Sequence, residues 1–341
     1  MARFLGSALL LAVAALPASA DDLAQADALY NKGLAFHKKN QEEQALEVYA
    51  QALTLYEKIG NEPYAADTLY NLGISNHALG REEKAQDFYT RALAVYTKVD
   101  NKKSVADVLQ NLGLSCRSAG THEKALEYYA RALAGYEKVG KPSNVADVLY
   151  NMGWSYHKVG RNEKALEFGI RALAMYEEQN NQTYVADSLN NLGLVYKALG
   201  QFEESLESYE RAQAIHEKQN NDKGTADLLQ NIGLVHHAQK QDEKALKFFE
   251  KALPIYRKID HPLGIADSLY NMGLCYFVLE KQDKALESYS AALPLYEKLG
   301  NLQYVVDTCT NLAQVCGKLG QEGKAKEYRS RADEIRKKLG K

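Results

Sequence analysis

The chain is poor in most of the residues that would announce catalysis, a metal or a membrane. Four cysteines, six prolines and one tryptophan in 341 residues leave no room for a dense disulfide framework or a proline-rich linker. A surplus of either charge is also missing: 42 basic against 44 acidic side chains give −2. Nucleic-acid binding needs a basic surplus or stripe to neutralise phosphates, so that class is excluded. Beyond the N-terminus no apolar run approaches the ~20 residues that span a bilayer, which predicts no membrane insertion. No GxSxG elbow, glycine-rich phosphate loop or Ser-His-Asp order occurs. His236-His237, and His37 with His77, lack a companion Cys/His/Asp group at ligand spacing and read as surface or groove histidines. The sequence therefore predicts no catalytic residue, no metal site and no cofactor.

The first 20 residues differ in kind. Arg3 precedes an apolar run from Phe4 to Leu16, and Pro17-Ala18-Ser19-Ala20 ends in an A-x-A pattern before Asp21-Asp22. This predicts a secretory signal peptide cleaved after Ala20, and hence a periplasmic or secreted mature chain. Losing Arg3 with it leaves 41 basic and 44 acidic side chains, about −3.

What the chain does have is repetition. From Ala26 a 40-residue period recurs without a slip, giving copies at 26–65, 66–105, 106–145, 146–185, 186–225, 226–265, 266–305 and 306–341. Numbered from its first residue, a typical copy carries apolar or small residues at positions 1, 4, 7, 8 and 11. They recur at 20, 21, 24, 27, 28 and 31, usually with glycine at 15. That is helix, turn, helix, and it predicts an all-α, single stacked solenoid over residues 21–341. Polar replacements at Lys32, and at Arg329, Asp333 and Arg336, predict capping copies at the two ends. Pro254 and Pro294 fall inside second helices and predict kinks there. Gly169 stands where other copies hold an aromatic, which suggests a small pocket beside Trp154. The cysteines fall on core-type positions and read as buried thiols; Cys275 with Cys316 is the one pair placed for a disulfide.

These residues resemble the tetratricopeptide repeat. Its pattern of a large residue at 4, Leu-Gly at 7 and 8, an aromatic at 11 and alanines at 20 and 27 is met by Leu149, Met152-Gly153, Tyr156, Ala165 and Ala172. The 40-residue period is similar to that of the long-helix variant in kinesin light chain. The resemblance implies a right-handed superhelical solenoid whose first helices line a concave groove.

Two polar columns are not demanded by helix packing. Asp occupies position 2 and Asn position 6 in every copy, although Asn inside a helix is worse than Ala by up to ~0.7 kcal/mol. The resemblance implies that the Asn column holds the backbone of an extended peptide. That makes Asn71, Asn111, Asn151, Asn191 and Asn231 candidate ligand contacts, with Asp147, Tyr150 and Trp154 beside them. Position 12 adds basic or titratable groups over six copies, including Arg117, His157 and Lys197. The partner expected is a protein or extended peptide carrying both charges. In the alternative reading Asp and Asn join neighbouring helices, and the solenoid is structural and self-associating.

Overall fold

Residues 20–340 are described in the computed structural model; residues 1–19 of the expected signal peptide lie outside them, and the expected cleavage point after Ala20 falls at the start of the first helix. The described chain is a succession of sixteen α-helices with no strand. It divides into two compact units, one ending at Asn151 and the other beginning at Met152.

The first unit contains α1 (Ala20–His37), α2 (Glu42–Lys58), α3 (Glu62–Ala78), α4 (Glu82–Lys98), α5 (Lys102–Ser118) and α6 (His122–Val139), and the boundary falls within α7 (Pro142–Lys158). The second continues through α8 (Asn162–Glu178), α9 (Gln182–Ala198), α10 (Phe202–Lys218), α11 (Asp222–Ala238) and α12 (Asp242–Lys258). It ends with α13 (Pro262–Val278), α14 (Gln282–Lys298), α15 (Leu302–Lys318) and α16 (Glu322–Lys338). Odd-numbered helices are the first helices of the copies and even-numbered ones the second. Within each unit consecutive helices pack together. Successive first helices also touch, α3 with α5 in the first unit, α9 with α11 and α11 with α13 in the second.

Helices α1 to α15 stop by the same device. The residue at position 15 or 35 turns left-handed, as at Gly80 (φ 70°), and the next N–H returns to a carbonyl five residues back, Arg81 to Asn76 at 2.9 Å. Glycine suits this because it has no Cβ to clash. Starts are capped by side chains on several first helices: Asn101 Oδ1 accepts from the Ser104 N–H at 3.1 Å.

Two contacts set the hairpin. Glycine at position 8 leaves a notch that the aromatic ring at position 24 fills. A Cβ on Gly73 would stand 2.4 Å from the Tyr89 ring, and the pairs Gly33–Tyr49, Gly113–Tyr129 and Gly233–Phe249 repeat this. Alanines at 1, 20 and 27 are almost completely buried between the helices, as with Ala66, Ala85 and Ala92. Burying each such ring removes roughly 1.5–3 kcal/mol worth of apolar surface from water.

The fourth copy departs from this, though not by opening the pocket expected at Gly169. A Cβ there would meet Leu192 Cδ2 at 2.8 Å, so a leucine of the following copy already fills the space, while Gly153 lies against the Gly169 backbone. At Pro254 and Pro294 the helices α12 and α14 continue from end to end. Both prolines and the residues four before them, Glu250 and Ser290, are exposed, so water can satisfy the carbonyl that proline leaves unpaired.

Candidate ligand-binding face

First and second helices meet solvent differently. Second helices expose a broad charged face, whereas a first helix such as α3 is, between its exposed ends, buried except for a narrow, half-exposed stripe at positions 2, 5, 6, 9 and 12. That stripe contains every candidate ligand contact named from the sequence. Asn71, Asn111, Asn151, Asp147, Tyr150 and Arg117 belong to the first unit; Trp154, His157, Asn191, Lys197 and Asn231 belong to the second. All are half-buried except Asn151, which is buried.

The Asp column is tied to the second helix of its own copy. The tyrosine hydroxyl at position 31 donates to it: Tyr56 to Asp27 at 2.6 Å, Tyr96 to Asp67 at 2.5 Å, Tyr256 to Asp227 at 2.7 Å and Tyr296 to Asp267 at 2.6 Å. Burial together with the adjacent Asp67 carboxylate pushes the Tyr96 hydroxyl far above its usual range and keeps it a donor.

The Asn column joins one copy to the next. Asn71 Nδ2 donates to Tyr30 Oη at 2.9 Å and to the Asp67 carbonyl at 2.8 Å; Asn111 Nδ2 donates to Tyr70 Oη at 2.8 Å and to the Asp107 carbonyl at 2.9 Å. In the second unit Asn231 donates to Asn190 Oδ1 at 3.0 Å and Asn311 to Tyr270 Oη at 3.1 Å. An amide has two N–H donors, so at Asn71 and Asn111 both are committed and only Oδ1 is left as an acceptor. At Asn151 that oxygen is engaged too, accepting from Arg117 at 2.5 Å while Nδ2 donates to the Asp147 carbonyl at 2.8 Å. The partners of the Asn column, Tyr30, Tyr70, Tyr270 and Asn190, all sit at position 5.

Position 12 pairs with position 17 across the tight turn. His37 lies 2.9 Å from Glu42, His77 2.8 Å from Glu82, His157 2.8 Å from Asn162 Oδ1 and His237 2.5 Å from Asp242. Arg117 reaches Asn151 instead, and Lys197 has Phe202 where the histidines have a polar partner; burial lowers the Lys197 pKa. Trp154 is capped by Lys158, whose Nζ is 4.4 Å from the ring centre, and lies beside the His157 ring at 5.9 Å.

Ser115 Oγ donates to Glu82 Oε2 at 2.5 Å, and the same oxygen faces His77 Nδ1. The carboxylate stands between hydroxyl and imidazole. A nucleophilic relay needs the imidazole there to take the hydroxyl proton. Two clefts in the first unit, of about 390 and 570 Å³, are lined by Tyr56, Leu69 and Lys98 and by Leu46, Asn76 and Phe88, away from the Asn column. No described helix is long and apolar enough to cross a membrane, and all four cysteines are free and buried.

The tetratricopeptide repeat profile matches residues 24–98, 104–178 and 184–258, and further tetratricopeptide profiles match 267–293 and 306–339. The chain belongs to the tetratricopeptide repeat family, with the family's all-α superhelical repeat fold. No curated protein matches it. Among solved structures it is similar to the apo form of the quorum sensor NprR from B. thuringiensis, at 16% identity and a TM-score of 0.63 over 92% of this chain and 98% of that one. It is similar to a Rap protein complexed with Competence and Sporulation Factor, at 18% identity and a TM-score of 0.53 over 82% of this chain and 77% of that one. A kinesin light chain with nearly identical repeats from Podosopora anserina matches at 18% identity and a TM-score of 0.51, over 58% of this chain and 98% of that one. Such identities establish the fold, which generally serves as a scaffold for protein interaction.

Proposed function

We propose that the chain is an exported, non-enzymatic adaptor that binds an extended peptide or protein segment along the half-exposed stripe of its first helices. The observation that carries this is the residual chemistry of the stripe. With the amide N–H groups spent on the stack, Asn71 and Asn111 offer oxygens, suited to the N–H groups of an extended ligand backbone. Position 9 adds apolar contacts, Ile74 and Leu114 in the first unit, Trp154, Leu194 and Leu234 in the second. Position 12 adds the cation of Lys197, so affinity should fall with salt. Within each unit, contacts between successive first helices favour a stack tighter on that side, hence a concave first-helix face in that unit. A rigid stack leaves the ordering cost mainly to the ligand. The Rap structure, solved with a bound factor, and the sensor NprR support the reading.

The test is peptide selection from a random displayed library, followed by fluorescence polarisation with the enriched peptide. Trp154→Ala with Leu194→Ala leaves every ladder hydrogen bond described above in place. It should weaken binding by more than about tenfold, a loss of roughly 1.4 kcal/mol or more, with an unchanged helical melting curve. Unchanged binding would move the site off the first helices. Export is tested separately: expression with the native N-terminus should deliver a fraction outside the cytoplasm whose mass begins at Asp21.

A further inference from the structure

The second unit holds a cluster that the peptide-binding reading does not use. His237 lies in the last turn of α11, Asp242 is the first residue of α12, and Cys275 projects from α13. His237 Nδ1 is 2.5 Å from Asp242 Oδ1 and 3.8 Å from Cys275 Sγ, and the three ligand atoms all lie within 4.8 Å of one another. Asp242 and Cys275 are buried, at 3% and 0% exposure, while His237 is half-exposed. Linear spacing hid this group, because Cys275 comes 38 residues after His237 and only the stacking of one copy on the next brings them together.

We propose that His237, Asp242 and Cys275 bind one divalent transition-metal ion of borderline softness, with zinc the best match and the fourth coordination position open. A tetrahedral site with the usual metal–sulfur, metal–nitrogen and metal–oxygen lengths places sulfur about 3.6 Å from nitrogen and nitrogen about 3.4 Å from oxygen. The first separation is nearly present. The second requires the His237–Asp242 hydrogen bond to open by roughly 0.9 Å, a movement open to His237 on its solvent side, which is also the entry path. Charge favours the ion as well. Binding releases the thiol proton to solvent, and a thiolate with a carboxylate, both from buried residues, then neutralises a 2+ ion.

The equivalent group four copies earlier in the chain shows what is special here. His77, Glu82 and Ser115 occupy the same three positions, and a serine hydroxyl closes the hydrogen-bond chain. The position of Cys275 is serine at Ser75, Ser115 and Ser155, and valine at Val195, Val235 and Val315. Both a hydroxyl and a fully apolar side chain therefore satisfy the fold. A thiol is a weak hydrogen-bond donor but a soft metal ligand.

The test uses the full mature chain without a histidine tag, stripped of metal by chelation, and cobalt(II) as the spectroscopic probe. Wild type should take up one equivalent, developing a thiolate-to-cobalt charge-transfer band and tetrahedral d–d absorption that zinc then displaces. Cys275→Ser should lose the charge-transfer band, and both it and Cys275→Val should bind more than about tenfold more weakly, beyond the lower end of second-shell effects. Both side chains occur at this position in sister copies, so the variants should fold, as circular dichroism will verify. His236→Ala and Cys316→Ser should bind as wild type does. Absence of the band in wild type, or a band that persists in Cys275→Ser, would overturn the proposal.

Discussion

Tyr89 and Tyr96 lie seven residues apart on one helix, both buried, and they do different work. The Tyr89 ring fills the notch over Gly73, and its hydroxyl has no hydrogen-bond partner among the described residues. The Tyr96 hydroxyl holds Asp67 at 2.5 Å. Phe249 and His216 follow this division, while Gly169 and the end-copy residue Arg329 interrupt the first column. The first column accepts Phe249, which has the same shape and no hydroxyl. The second accepts polar residues: His216, and Arg336, whose guanidinium donates to Thr310 at 2.9 Å. One column of tyrosines is selected for volume and the other for a hydrogen bond, although the two are indistinguishable by residue type.

The sharpest way to break that distinction is to remove the ring. Tyr89→Ala should cost about 3–5 kcal/mol in chemical denaturation, because the cavity over Gly73 is walled by helix backbone that cannot collapse into it. Deleting only the hydroxyls should separate the columns. Tyr96→Phe should cost about 1.5–3 kcal/mol by leaving the half-buried Asp67 carboxylate short of its donor, whereas Tyr89→Phe should change stability by less than about 0.5 kcal/mol. Equal losses at the two sites would end the comparison.

The smallest effect should come from the copy where the donor column is interrupted. Asp187 faces His216 in place of a tyrosine, and burial raises its pKa, with His216 opposing the rise. A carboxyl whose folded pKa exceeds its unfolded one weakens the fold when ionised. The penalty is fully present above the folded pKa and disappears below the unfolded value, near 3.8. Asp187→Asn should therefore raise the melting temperature slightly at neutral pH, and the gain should shrink as pH falls toward 4. A gain that grows on acidification would show the carboxylate to be stabilising.

The helical hairpins, their turns and the all-α class were legible from the period alone, because a 3.6-residue pattern and a glycine at a fixed place are local signals. The Asp and Asn columns were legible as columns, but their partners were not. Asp67 meets a tyrosine 29 residues away and Asn71 one 41 residues away, separations set by how hairpins stack and not by periodicity within a helix. For the same reason Gly169 looked like an opening. The side chain that closes it, Leu192, comes from the next copy. The signal that could have revealed the ladder was position 5, where side chains able to accept a hydrogen bond recur beside an unvarying asparagine.

Those two separations also govern how such a chain can change in length. Each contact that defines the array spans a fixed number of residues, and each helix ends in a left-handed residue whose identity varies from Gly80 to Lys240 and Glu280 without altering the turn. Duplicating or excising any 40-residue block keeps every 29- and 41-residue partnership in register, wherever the block is cut. Inserting a single residue severs all the partnerships that straddle it. The gene is thus free to grow by recombination in whole units and closed to growth by ones, so the length of its recognition surface is set by copy number.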